Sequence, residues 1–209
     1  MYKILFCLGI LLTTSIASAA NLIAIRHGEA VCNTEQVFSG NTKESVKYPL
    51  TSRGKQQVLD AAKKLQQEQH DNTTIEAVYV SPFLRTKETS EILVKELGID
   101  QQKIIFEDLL VETNQGTFEG KKVSTFPYGH YYDHSQGHKY EGETDEDVQH
   151  RIERFLEKVR GQHYKRDILI VTHGNPTTIL HKLLGKDQKQ SSHFENAEFR
   201  VLQLISKEN

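Results

Sequence analysis

Arg26, His27 and Gly28 follow directly on the apolar run Leu22, Ile23, Ala24 and Ile25, with Glu29 next and Asn33 four residues further on. A guanidinium is a planar fork of donors for phosphate oxygens, an imidazole can serve as nucleophile or proton carrier, and a glycine lets backbone N–H groups approach an anion. The grouping points to phosphoryl chemistry. Three later stretches have the same form, an apolar run that delivers a reactive side chain. Residues 77–80 lead through Ser81 and Pro82 to Arg85, residues 103–111 lead to Glu112 ahead of Gly116 and Gly120, and residues 167–172 lead to His173 and Gly174. A carboxyl group leaving an apolar run for a glycine-bearing loop is a candidate proton donor.

The runs are short, rich in Ile, Val and Leu and bounded by turn residues, so they read as buried strands. Ligands of open α/β sheets bind at the carboxyl ends of the strands. If these strands are neighbours in one sheet, two Arg, two His and an acid converge on one anion-sized site. Helical patterns alternate with the strands. Thr51 is an N-cap for a face of Val58, Ala61, Ala62 and Leu65; Arg85 and Thr86 open a helix carrying Ile92, Leu93 and Leu97 and closed by Gly98. Thr144 with Asp147 forms a capping box before Val148, Ile152, Phe155, Leu156 and Val159, and Asn175 and Pro176 supply the cap and first turn of a helix that ends at Leu184 and Gly185. Residues 199–205 read as a last strand, residues 30–49 as a long loop over the site, and residues 121–142 as a lid or specificity loop rich in Gly, Tyr and His. No repeat or interior linker divides the pattern, which predicts one α/β domain over residues 21–209.

The chain has 209 residues and a formal net charge of −2 without a basic block, so no nucleic-acid partner is expected. Lys3, the apolar run of residues 4–12 and the small residues Ala17, Ser18, Ala19 and Ala20 make residues 1–20 an export leader, cut after Ala19 or after Ala20. The run is shorter than the ~20 residues of a spanning helix, so the mature protein is expected in the periplasm or secreted, with no membrane attachment. Loss of the leader removes Cys7 and leaves Cys32 alone, excluding an intramolecular disulfide; Cys32 reads as a small space-filler. Asn72-Thr73-Thr74 has the form of a glycosylation acceptor, relevant only in a eukaryotic secretory pathway.

The chain resembles the histidine phosphatases, in the branch that includes the cofactor-dependent phosphoglycerate mutases. The resemblance rests on six blocks in the family's order: Arg26-His27-Gly28-Glu29 with Asn33; Leu50-Thr51 with Gly54 and Gln57; Ser81-Pro82 with Arg85-Thr86 and Thr89; Glu112 with Gly116 and Glu119-Gly120; Gly142-Glu143-Thr144 with Asp147 and Arg151; and Val171-Thr172-His173-Gly174. It implies a three-layer α/β/α sandwich with a mostly parallel central sheet. It also implies that His27 takes the phosphoryl group as a phosphohistidine, that Arg26, Asn33, Arg85 and His173 hold its oxygens, and that Glu112 is the general acid and base. Ser39, Gly40 and Gly174 fall among the substrate contacts, and the substrate is expected to be a small phosphorylated molecule. Two Arg and a second His can supply the charge that phosphoryl transfer needs without a metal, so no cofactor or metal is expected.

Thr113 stands where the mutases usually carry an Arg after the acid, residues 121–142 hold only Lys121, Lys122 and Lys139 as fixed cations, and Asn175, Pro176 and Thr177 replace the mutases' usual run after His173-Gly174. A mutase must grip a second acidic group and keep water from the phosphohistidine, so hydrolysis of a phosphomonoester is the expectation. A phosphoglycerate mutase and a non-catalytic phospho-ligand-binding protein are the alternatives. His130, His134 and His138 recur at spacings of four, a metal pattern if the segment were one helix. Gly129 and Gly137 bracket the segment and no Cys assists, so these imidazoles, with Tyr128, Tyr131, Tyr132 and Tyr140, are expected to line the substrate mouth instead.

Overall fold

The computed structural model describes residues 20–41, 43, 46–68, 75–126, 134–185 and 191–204. Residues 1–19 of the expected leader (1–20), Asn72, His130, Tyr128, Tyr131 and Tyr132 lie outside the described residues. Five strands form one sheet: β1 (Asn21–Arg26), β2 (Ala77–Val80), β3 (Ile104–Phe106), β4 (Ile168–Thr172) and β5 (Phe199–Gln203), in the order β3-β2-β4-β1-β5. The first four are parallel, and β5 runs antiparallel along β1. The expected mostly parallel sheet is therefore present.

Because side chains alternate along a strand, each run feeds two cores. Ile23, Ile25, Val78, Val80, Leu169 and Val171 pack on α2 (Ser52–Glu68) and α3 (Leu84–Glu96), through Val58, Ala62, Leu65, Leu93 and Val94. Leu22, Ala24, Tyr79, Ile168 and Ile170 pack on α4 (Asp145–Gly161) and α5 (Gly174–Leu184), through Val148, Ile152, Phe155, Ile179 and Leu180. Helices on both faces make the three layers. No helix among the described residues is long and apolar enough to cross a membrane.

The caps follow residue type where a side chain can reach. Thr51 Oγ1 accepts from Gly54 N at 2.9 Å, and Thr144 and Asp147 form their reciprocal pair at 3.2 and 2.7 Å. Two expectations need correction. Within 30–49 the chain forms a short helix, α1 (Val31–Glu35), whose start is held by Asn33 Oδ1 accepting from Ala30 N at 2.9 Å. Five residues are too few to show a helical period. The fourth long helix, α5, begins at Gly174, two residues early, with His173 as its extended cap residue. Asn175 is then inside the first turn, and its side chain is used elsewhere. The last strand ends at Gln203. Ala20 is buried, and its carbonyl accepts from Leu204 N at 3.4 Å.

Candidate active site

Parallel register brings the reactive residues to one edge. Arg26 is opposite Thr172, and Val80 is opposite Val171 and Phe106, so Arg26-His27, Ser81 and Thr172-His173 leave the sheet side by side. His27 N donates to Thr172 O and Ser81 N to Val171 O, each at 3.0 Å, extending the ladder into the site. Glu112 enters from beyond β3, after a turn of 3-10 helix at Asp108–Leu110 that Thr172 Oγ1 anchors by donating to Leu110 O. The loop after β1 lies against α2 so closely that a Cβ on Gly54 would stand 1.9 Å from Glu29 O, which requires glycine there.

His27 is buried in a defined tautomer. Nδ1 lies 2.7 Å from the carbonyl of Gly28, an obligate acceptor, so Nδ1 carries the proton. Arg85 Nε donates to Nε2 at 3.1 Å, so Nε2 presents the lone pair. Burial, then the charges of Arg85 and Arg26, hold this imidazole well below the usual histidine pKa, with Gly28 O opposing. A neutral, lone-pair-bearing Nε2 at the end of a rigid strand is a nucleophile.

Arg85 is itself buried and donates from its terminal nitrogens to Ser39 Oγ at 3.2 Å and Ser39 O at 2.9 Å. Arg26 donates to Phe194 O at 2.6 Å, while its buried Nε finds no partner among the described residues. Neither guanidinium has a carboxylate within ion-pair range among the described residues. Two inward cations without an ion-paired carboxylate among the described residues make a site for an anion.

His173 is wholly buried, edge-on to His27 with ring centroids 5.2 Å apart. Its Nε2 meets Ser81 Oγ at 2.7 Å and its buried Nδ1 has no partner among the described residues. Burial and then Arg85 lower its pKa well below the usual value. Glu112 sits at the positive end of α5, accepting from Gly174 N at 3.1 Å, Asn175 N at 3.4 Å and Thr113 N at 2.9 Å. Gly174 brings it near Arg26, since a Cβ there would lie 3.6 Å from the guanidinium carbon and 3.7 Å from Glu112 Oε2.

These groups face a cleft of about 680 Å3 lined by Arg26, His27, Asn33, Ser39, Gly40, Arg85, Glu112 and Gly174, every expected site residue except His173, which is fully buried against His27. Cys32 also lines it, and burial pushes its thiol pKa up, in keeping with a packing role. His134 reaches the cleft and is bonded through Nδ1 to Gln115 Nε2 at 3.2 Å, whereas exposed His138 pairs with Asp147 at 2.5 Å. The segment there is a turn and a short 3-10 helix, Gly137–Tyr140, so these two imidazoles do not share a face. Among the described residues no group of three or more metal-binding side chains is assembled.

Several residues of the site carried no assignment in the sequence. Asn196 Nδ2 donates to His27 O at 3.3 Å and to Asn33 Oδ1 at 3.5 Å, steadying the anion loop from the far end of the chain. Glu119 is mostly buried and accepts from Gly40 N at 2.8 Å and Gln115 N at 2.7 Å, and burial raises its pKa. It ties Ser39 and Gly40 to the wall opposite. Arg151 grips Glu143 at 2.8 and 3.3 Å and donates to Leu109 O at 2.7 Å, holding the approach to Glu112.

The chain is similar to proteins named as phosphatases and mutases. It is 28% identical over 198 residues to phosphoserine phosphatase 1 of Hydrogenobacter thermophilus, covering 90% of this chain and 88% of that one. It is 28% identical over 157 residues to a probable phosphoglycerate mutase of Escherichia coli O1:K1, covering 72% and 67%. The crystal structure of a phosphoglycerate mutase from Bacillus anthracis superposes with a TM-score of 0.71 at 22% identity, covering 90% of each chain. The family model of the histidine phosphatase superfamily, branch 1, matches residues 22–209, and the chain belongs to that family.

Proposed function

We propose that the protein is an exported phosphomonoester hydrolase that works through a phosphohistidine on His27. The observation that carries this reading is the pairing of a neutral Nε2 with two guanidinium groups that no carboxylate of the described chain neutralises. In the first step Nε2 attacks phosphorus in line, the P–N bond forms, the P–O bond to the alcohol breaks, and Glu112 gives its proton to the departing oxygen. Arg85 Nε–H, relieved of the lone pair it caps, turns to a phosphoryl oxygen, joined by Arg26, Asn33 and His173. In the second step water attacks, its proton passes to the Glu112 carboxylate, the P–N bond breaks and phosphate leaves.

Hydrolysis is favoured over transfer to a second hydroxyl because Thr113, the residue that follows Glu112, offers no cation for another acidic group. Thr113 is buried, and its hydroxyl accepts from Asn175 Nδ2 at 2.9 Å. Export rests on the leader of residues 1–20 and places the mature chain in the periplasm or outside the cell. Cleavage after Ala19 keeps Ala20, which packs against the end of β5.

The test is phosphate release from p-nitrophenyl phosphate and an ester panel in EDTA by native protein and by His27→Ala. EDTA-resistant release, lost by at least about a thousandfold in the variant, is the expected outcome. Transfer between the hydroxyls of phosphoglycerate with little free phosphate would make the protein a mutase, and no turnover of any ester would leave a phospho-ligand-binding protein. An N-terminus at Ala20 in material recovered outside the cytoplasm tests export.

A further inference from the structure

Asp145 has no part in the transfer set out above, yet it lines the same cleft. It is the first residue of α4, and its Oδ1 accepts from Asn175 Nδ2 at 2.9 Å, while the backbone N–H of the same Asn175 points to Glu112 Oε1 at 3.4 Å. One residue therefore ties Asp145 to the proton donor. Its carboxylate therefore lines the cleft on the side of the proton donor, apart from the two guanidinium groups.

The charges of the cleft then divide. A phosphate ester dianion is matched by Arg26 and Arg85. At the mouth His193 and Glu195 face one another at 3.8 Å. Lys182 also lines the cleft, exposed on α5 eight residues past Gly174 and so about 12 Å along the helix from the phosphoryl pocket, at the mouth beside His193 and Glu195. No cation lies within ion-pair range of Asp145 among the described residues, and its neighbour across Asn175 is the neutral hydroxyl of Thr113. The phosphate end of the cleft is balanced once an ester is bound. Among the described residues, Asp145 is then a carboxylate of the cleft without an ion-pair partner.

We propose that Asp145 selects the alcohol, and that the cleft takes the phosphomonoester of an amino alcohol, whose ammonium pairs with Asp145, while rejecting esters that carry a carboxylate at that place. The proposal rests on the reading of the cleft as that of a phosphomonoester hydrolase. A hydroxyl at the same position is intermediate, since it can donate one hydrogen bond but brings no charge.

The test uses three esters of equal length, 2-aminoethyl phosphate, 2-hydroxyethyl phosphate and phosphoglycolate, with native protein, Asp145→Asn and Asp145→Glu. Native protein is expected to rank them in that order by kcat/KM, each step about tenfold, the size of one partly screened charge contact. Asp145→Asn collapses the spread to within about threefold, and Asp145→Glu, which keeps the charge, retains the order. A role confined to the start of α4 would lower the melting temperature of Asp145→Asn and leave the ratios untouched, which would overturn the proposal. So would a native protein that uses phosphoglycolate as well as the amine, whatever the variants do. The same esters are titrated calorimetrically into His27→Ala. Binding in the expected order with no turnover by native protein would remove the hydrolase reading and keep the selection. Turnover of all three at equal kcat/KM would remove the selection and keep the hydrolase.

Discussion

The two sides of the cleft are built by different means. On one side Arg26, His27, Ser81 and His173 are the next residues of paired strands, and their positions follow from the register of a sheet buried on both faces. On the other side Ser39 and Gly40, Gln115 to Glu119, and Asn196 are loop residues joined by side-chain bonds. A cluster of Phe38, Phe118, Phe126 and Tyr140, with ring centroids 4.9 to 6.5 Å apart, backs that wall. The sheet side holds the reacting atoms. The loop side shapes what may approach them, and it can change without disturbing the register.

If that division holds, changes on the sheet side lower turnover of every ester alike, and changes on the loop side discriminate among them. The largest effect is expected for Arg85→Lys, which keeps the charge but loses the fork shared between His27 and Ser39. kcat/KM should fall by about a hundredfold or more, uniformly across an ester panel. A loss confined to some esters would break the division.

The pH dependence of stability separates the two sides by sign. His27 and His173 have pKa values held below the unfolded value of 6.5, so the unfolded chain binds protons first, and stability present above pH 6.5 is lost as the pH falls. With two such groups the slope reaches at most about 2.7 kcal/mol per pH unit, and His27→Gln should halve it in urea unfolding between pH 5 and 7. Glu119 has a raised pKa, so its contribution runs the other way, rising as the pH falls through the carboxylate range.

Glu119→Gln replaces one of two accepting oxygens by a donor facing an N–H. It is expected to cost about 1–3 kcal/mol in unfolding free energy, and to raise KM more than it lowers kcat, by amounts that differ between esters. The smallest effect is expected from Ser81→Ala. His173 loses the partner that fixes its ring, and kcat should drop by about tenfold with KM little changed and no dependence on the alcohol.

The division also accounts for what could be read in the sequence. Apolar runs such as residues 168–171 announce strands, and a reactive residue at the end of each announces where it will be delivered. The sheet side was therefore legible, including His173, although not that His173 would be fully buried against His27. Asn175 has the residue type of a helix cap, but Glu112 draws the N–H groups of Gly174 and Asn175, and the helix starts at once after His173. Glu119 was visible only as part of a familiar block, and Asn196 and Asp145 carried no signal. Each gains its role from a partner distant in sequence, such as the 169 positions between Asn196 and His27, and no periodicity records such a pairing.

The sheet order has a consequence for how the chain reaches this state. β1 is the first strand made, yet both of its neighbours, β4 and β5, come from the last quarter of the chain. Its terminal residue Asn21 bonds to Asp167 across 146 positions. A nascent chain cannot close that loop until synthesis is nearly complete, and the entropy of such a closure makes the central pairing a late event in folding. Until then the apolar run of β1, residues 22–25, has neither neighbour. Under the proposed export, that delay keeps the chain threadable while its leader is engaged.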